Sequence, residues 1–266
     1  MKTVSCRSLV LVLLICLPSL SFSYEGDPLS NAIKDLGHVR RAPLCLKERS
    51  NLYLVGGVLG AGVLLYANDR QVLDIIQKNK STTLVNISRT AEKTGNGAYE
   101  LAFLGGVAGA GYVFKDDKLK DTAFMGMESF LAANAIGTVM KYSLGRARPY
   151  HGNKHTFSPF NFSAAHASFP SGHTTSAFSI ASVFAARYDS LWVGGLAYGA
   201  ASAVALQRLY SNNHWPSDVL MSAFLGTVTG RAVVRFAQGC PVEKSSALVL
   251  PVLQPGYSGL TASVRF

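Results

Sequence analysis

Three short segments of this sequence carry side chains able to do chemistry together. Lys141-x6-Arg148-Pro149 supplies two cations, and such a pair holds a phosphoryl group well, arginine through paired donors and lysine as a point charge. Pro170-Ser171-Gly172-His173 precedes an apolar run. Ser171 suits an N-cap there, which makes the N–H groups of Gly172 and His173 an anion site at a helix N-terminus. Arg208-x5-His214-x3-Asp218 adds a third cation and a His/Asp pair. A carboxylate at Asp218 can accept the Nδ1 proton of His214, fix its tautomer and leave Nε2 as a nucleophile. Each segment alone has a plainer meaning: a cation facing a helix C-terminus, an ordinary serine-capped helix, a local capping pair.

The elements that must position these groups are helices. Apolar stretches rich in glycine and alanine cover Leu52 to Ala67, Leu101 to Phe114, Ser129 to Met140, Thr174 to Ala186, Leu191 to Gln207 and Val219 to Gly230. Their small residues permit close helix packing. Residues 71 to 94 read as a separate amphipathic helix carrying Val72, Leu73, Ile75, Ile76 and Leu84. Gly145 fits a helix C-cap and Pro149 forbids continuation, so Lys141 and Arg148 stand where one helix runs out. Pro216 fits the first turn of a helix, with His214 just before it and Asp218 inside it. An up-and-down bundle then brings all three segments to one end. Ala247 to Gln254 and Gly259 to Phe266 alternate in the β manner around Pro255-Gly256, and a short C-terminal hairpin is expected.

Taken together, the three segments resemble the type 2 phosphatidic acid phosphatase and vanadium haloperoxidase superfamily, whose motifs are Lys-x6-Arg-Pro, Pro-Ser-Gly-His and Ser-Arg-x5-His-x3-Asp. The first two stand intact, and in the third Gln207 replaces the serine ahead of Arg208. The resemblance covers about 120 to 236 and implies an all-α helical bundle. It also implies roles: His214 attacks phosphorus, Asp218 orients it, and His173 protonates the leaving oxygen. Lys141, Arg148, Arg208, Ser171 and the Gly172 amide would hold the phosphoryl oxygens. Phosphoryl transfer needs chiefly positioning and charge stabilisation, so three fixed cations can stand in for a metal, and no cofactor is expected.

The remaining features bound the setting. Lys2 and Arg7, the apolar run from Leu9 to Leu17 and Ser21-Phe22-Ser23 read as a signal peptide over 1–23. An extension over 24–50, a helical phosphatase domain over 51–237 and a tail over 238–266 follow. Export to the periplasm or the outer side of the membrane leaves Cys45 and Cys240 as candidates for one disulfide. The net charge of +10 favours phosphate esters and anionic lipid surfaces, and scattered basic residues argue against nucleic acid. Every charge-free stretch is shorter than the ~20 residues a bilayer requires, which favours a bundle resting on the membrane over one spanning it. Between 150 and 169, Phe157, Phe160, Phe162 and Phe169 offer either a lid or acyl-contact surface or simply a cover for the bundle end. The expected activity is metal-independent hydrolysis of phosphate mono- or pyrophosphate esters, lipid-linked in kind, through a phosphohistidine. Vanadate-dependent halide oxidation and non-catalytic phosphate or lipid binding are the alternatives.

Overall fold

The computed structural model describes residues 49–80, 95–153, 155–188, 190–237, 246–254 and 257–265, all within the unit Gly37–Phe266. The expected signal peptide, Cys45, Cys240 and the Pro255-Gly256 turn lie outside them, so the disulfide and the cleavage site remain expectations.

Six helices form the described body: α1 (Arg49–Lys78), α2 (Gly97–Val113), α3 (Asp117–Leu144), α4 (Gly172–Arg187), α5 (Leu191–Tyr210) and α6 (Pro216–Ala237). The helical architecture read from the apolar stretches is the one observed. Local chemistry sets several ends. Asn96 caps α2 by accepting from the Ala98 N–H at 3.0 Å, and Asp116 caps α3 by accepting from Leu119 at 3.0 Å. Gly145 ends α3 in the left-handed conformation, φ 58°, where its N–H returns to the Lys141 carbonyl at 2.8 Å. A Cβ there would sit 1.8 Å from the Ser158 carbonyl oxygen, so the turn admits only glycine.

One expectation is corrected. The apolar stretch from Leu52 and the segment after residue 71 are not two helices, because α1 runs unbroken through Asn68-Asp69-Arg70 to Lys78. No proline or glycine lies between Asn68 and Lys78, and the charges there are accommodated. Arg70 pairs with Asp74 one turn on at 3.5 Å, and Asp69 turns inward. Residues 81–94 lie outside the described part.

Helix α4 is the centre of the bundle, packed against α3, α5 and α6. Its inward face carries Thr174, Thr175, Ser176, Ser179 and Ser182, all buried. Small hydroxyl side chains let α6 approach closely: a Cβ on Gly230 would meet the Ser179 carbonyl oxygen at 2.3 Å. Ser179 and Ser182 donate to carbonyls three residues back, at 2.8 and 2.9 Å, so burial leaves these hydroxyls satisfied. Leu73 of α1, Ala205 and Leu209 of α5, and Trp215 and Val219 at the start of α6 form an apolar cluster. That cluster lies directly beneath the turn that carries His214, so the core and the site share a wall. Among the described residues α3 alone is long and apolar enough to cross a membrane.

Candidate active site

The C-terminal end of α3, the N-terminal end of α4 and the turn between α5 and α6 converge, as the bundle argument requires. Lys141 lies in the last turn of α3, facing α4. A Cβ built on Gly172 would lie 3.8 Å from the Lys141 Nζ and 3.9 Å from the Asn134 Oδ1. Glycine at 172 therefore keeps open the space between the lysine and the first N–H groups of α4. Helix geometry leaves those N–H groups without intrahelical acceptors, and the arrangement suits an anion.

Ser171 occupies the N-cap position with extended backbone, but its hydroxyl makes no cap bond, which corrects the expectation. Its Oγ instead accepts from the Thr174 hydroxyl at 3.1 Å, and its N–H donates to the Ser222 hydroxyl of α6 at 2.7 Å. The Ser171 hydroxyl proton is thereby left to point elsewhere. His173 follows in the first turn of α4, half-buried, with Gly95 against its ring: a Cβ on Gly95 would lie 3.2 Å from His173 Cδ2.

His214 is buried, and its Nδ1 lies 2.6 Å from the backbone carbonyl oxygen of Ser168. A carbonyl can only accept, so Nδ1 carries the proton and the lone pair of the neutral ring is on Nε2. Burial, followed by the charges of Arg148, Lys141 and Arg208, holds the imidazole well below its usual pKa against the opposing pull of the Ser168 carbonyl. The same three cations predicted to bind a phosphoryl group thus act on His214. The Arg148 Nε is buried without a hydrogen-bond partner among the described residues, while Nη1 reaches the Asn213 Oδ1 at 3.4 Å. A buried guanidinium donor without a protein acceptor is what an oxyanion would satisfy. Gln207, the departure from the third motif, has a definite partner: its side-chain carbonyl accepts from the Arg208 Nε, with both residues buried.

Asp218 is placed differently from the expectation. It does not take the Nδ1 proton of His214. Its Oδ1 pairs with the Arg146 guanidinium, and its Oδ2 accepts from the Ser168 hydroxyl at 2.5 Å and the Trp215 N–H at 3.0 Å. Lying in the first turn of α6, its carboxylate folds back to cap its own helix. Burial pushes the Asp218 carboxyl up, against the pull of Arg146, the Ser168 hydroxyl and the Trp215 N–H. Its link to His214 passes through Ser168, which makes it a positioning residue.

Several site residues have no place in the three motifs. Arg146, 2% exposed, bridges Asp218 and Asp69. Asp69, fully buried on α1, also accepts from the Ser217 N–H at 2.8 Å and the Ser217 hydroxyl at 2.6 Å. Burying one cation between two carboxylates adds little net stability, but removing one member strands a charge and costs about 3–5 kcal/mol. The sequence held one sign of this: Asp69 sits four and seven residues before Leu73 and Ile76, on the buried face of α1. Of the aromatic loop, Phe157 packs on Tyr66 with ring centroids 6.5 Å apart, whereas Phe160 and Phe162 stand exposed. The expected contact surface thus divides between bundle cover and exposed rings, with Phe162 resting on Tyr142 at a centroid distance of 4.9 Å.

Residues 126–240 match the PAP2 superfamily. The lipid A 1-phosphatase of Porphyromonas gingivalis is 39% identical over 110 residues, covering 38% of this chain and 22% of that protein. The undecaprenyl-diphosphatase of Sulfolobus acidocaldarius is 28% identical over 120 residues, covering 44% of this chain and 55% of the relative. The chain therefore spans less than two thirds of the length of these relatives. Among solved structures, the transmembrane PAP2-type phosphatidylglycerolphosphate phosphatase of Bacillus subtilis superposes with a TM-score of 0.54 at 20% identity, covering 71% of this chain and 98% of that one. The matched residues, 126–240, include all three motif segments from Lys141 to Asp218.

Proposed function

We propose that this chain is a metal-independent phosphatase that removes phosphate from lipid-linked mono- or pyrophosphate esters through a phosphohistidine on His214. The observation that carries the reading is the neutral, buried imidazole whose Nδ1 is tied to Ser168 while Lys141, Arg148 and Arg208 act on it from around the site. In the first step the Nε2 lone pair attacks phosphorus and the bond to the ester oxygen breaks. His173 gives that oxygen its proton. In the second step His173 takes a proton from water, the resulting hydroxyl attacks phosphorus, and the P–N bond breaks to release phosphate and regenerate His214. Lys141, Arg148, Arg208, the Ser171 hydroxyl and the Gly172 amide stabilise the charge on the equatorial oxygens.

The lipid part of the reading draws on the relatives, named for lipid A and undecaprenyl diphosphate substrates, and on the outer faces of the helices. Leu64, Phe103, Val113, Leu131 and Leu196 are exposed large apolar side chains on α1, α2, α3 and α5, a surface suited to acyl chains. Placement in the envelope, with the site on its outer side, belongs to the same proposal, as does the C-terminal hairpin. The antiparallel register running from Ser246 opposite Arg265 to Gln254 opposite Tyr257 supports the hairpin.

A phosphate-release panel tests the substrate class. Purified protein in mixed micelles is expected to release phosphate from lipid A, a polyprenyl pyrophosphate or phosphatidic acid faster than from a soluble phosphomonoester. Equal turnover of the soluble ester would remove the lipid part of the reading, and no turnover of any would remove the enzyme.

A further inference from the structure

The reading of His214 as the nucleophile leaves open what holds its turn, and the buried polar groups answer. We propose that Asp69, on α1 and outside the 126–240 family match, is a positioning residue that sets the geometry and tautomer of His214; this rests on the function proposed above.

The connection is continuous and short at every link. Asp69 Oδ2 lies 2.6 Å from the Arg146 Nη2, and the other side of the same guanidinium pairs with Asp218 Oδ1. Asp218 Oδ2 accepts the Ser168 hydroxyl at 2.5 Å. The carbonyl of that same Ser168 receives the Nδ1 proton of His214 at 2.6 Å. All five side chains are buried, with no more than 2% exposure for any of them. A displacement at one end is therefore passed along without water to absorb it.

A second branch reaches His214 through the backbone. Asp69 Oδ1 accepts the Ser217 N–H at 2.8 Å, and Oδ2 accepts the Ser217 hydroxyl at 2.6 Å. Ser217 Oγ in turn accepts from the Arg146 Nη1 at 2.8 Å. Ser217 is the second residue of α6, so its N–H is one of those the helix cannot satisfy itself. Asp69 caps α6 from a different helix, three residues beyond His214. The other end of the turn is held by Asn212 in the left-handed conformation, φ 58°, with the Asn213 N–H on the Arg208 carbonyl at 3.2 Å. His214 thus lies between two fixed points, one of them set by a residue 145 positions earlier in the chain.

Asp69→Asn keeps the shape and an acceptor for Ser217 but removes the charge facing Arg146. In the full-length protein, kcat for phosphate release is expected to fall about 10²-fold, as displacement of a reacting group by about 1 Å can do, with KM little changed. Ring nitrogens of ¹⁵N-labelled histidine, with His214 assigned by loss of its signals in His214→Ala, report the tautomer directly. Wild type is expected to show one tautomer with Nε2 unprotonated, and Asp69→Asn a mixture. Ser217→Ala, which spares both ion pairs, is the second variant should Asp69→Asn fail to fold, and a smaller loss in the same direction is expected. Unchanged kcat and an unchanged His214 tautomer in the folded variant would overturn the proposal and leave Asp69 as a structural tie. The nitrogen shifts need no turnover, so they decide the role of Asp69 even if the wild-type protein proves inactive and the phosphatase reading falls.

Discussion

Ser168 touches both members of the His214/Asp218 pair, accepting the His214 Nδ1 proton on its carbonyl and donating its hydroxyl to the Asp218 carboxylate. The pair that the spacing of the third motif placed in direct contact is joined instead through a residue of the preceding loop. This changes what Asp218 does. It holds Ser168, Trp215 and Arg146 in place, and the Ser168 carbonyl orients the ring. Asp218→Asn is accordingly expected to disturb folding as well as turnover, because Arg146 would lose a buried anionic partner.

The role proposed for His173 as proton donor predicts a dependence on the leaving group. General acid help contributes about 10²–10⁴-fold when the departing oxygen is basic and little when it is acidic. His173→Ala should lose most of its activity towards an alkyl phosphate and far less towards a nitrophenyl phosphate. Steady-state rates with the two esters check this, and equal losses would remove the acid role.

The pH profile follows from the buried imidazole. To attack as proposed, His214 must be neutral, and burial with three nearby cations holds its folded pKa well below 6.5. Loss of kcat/KM through protonation of His214 should therefore begin only at a pH well below 6.5. The same shift bears on folding. The unfolded chain binds this proton near pH 6.5 and the folded chain only at lower pH, so stability from this group is complete above 6.5 and declines as the pH falls. An acid limb centred near 6.5 that shifts with no cation removed would contradict the placement of His214.

Gln207 stands where the resembling family has serine, and its carbonyl accepts from the Arg208 Nε. A hydrogen bond to a buried charged group contributes about 1.5–3 kcal/mol. Gln207→Ala is expected to lower kcat/KM by about 10- to 100-fold, chiefly by loosening the guanidinium. Gln207→Glu, which keeps an acceptor, should retain more activity. Indistinguishable alanine and glutamate variants would show that this contact does not hold Arg208.

Much of this site was legible in the sequence because its parts lie at helix ends, where local residue types are informative. Gly145, Pro149, Ser171 and Pro216 mark those ends, and the cations and histidines fall beside them. What was not legible are partners distant in the chain. Asp69 finds Arg146 across 77 positions and Ser217 across 148, and no periodicity encodes such pairings. The three polar residues Asn68-Asp69-Arg70 looked like an interruption because sequence shows polarity without direction. In the folded chain Asp69 points in and Arg70 points out along one continuous helix. The Ser168 contact was hidden for another reason: its acceptor is a backbone carbonyl, which every residue has.

Two inhibitors separate the mechanism from a metal-dependent one. Vanadate bound at the His214 Nε2 imitates the transferring phosphoryl group, and such mimics bind about 10²- to 10⁸-fold more tightly than substrates. Activity should fall with vanadate and persist in EDTA. Complete loss in EDTA restored by magnesium would refute the assignment of charge stabilisation to Lys141, Arg148 and Arg208.

The central claim is a covalent bond between phosphorus and His214, and trapping that bond tests it most directly. Full-length protein mixed with a ³²P-labelled lipid phosphate and quenched in alkali within one turnover is expected to carry label on the peptide containing His214. His214→Ala should show neither label nor turnover, a loss of about 10³-fold or more. Turnover that survives in His214→Ala, or label recovered on a different residue of the wild-type chain, would contradict the account.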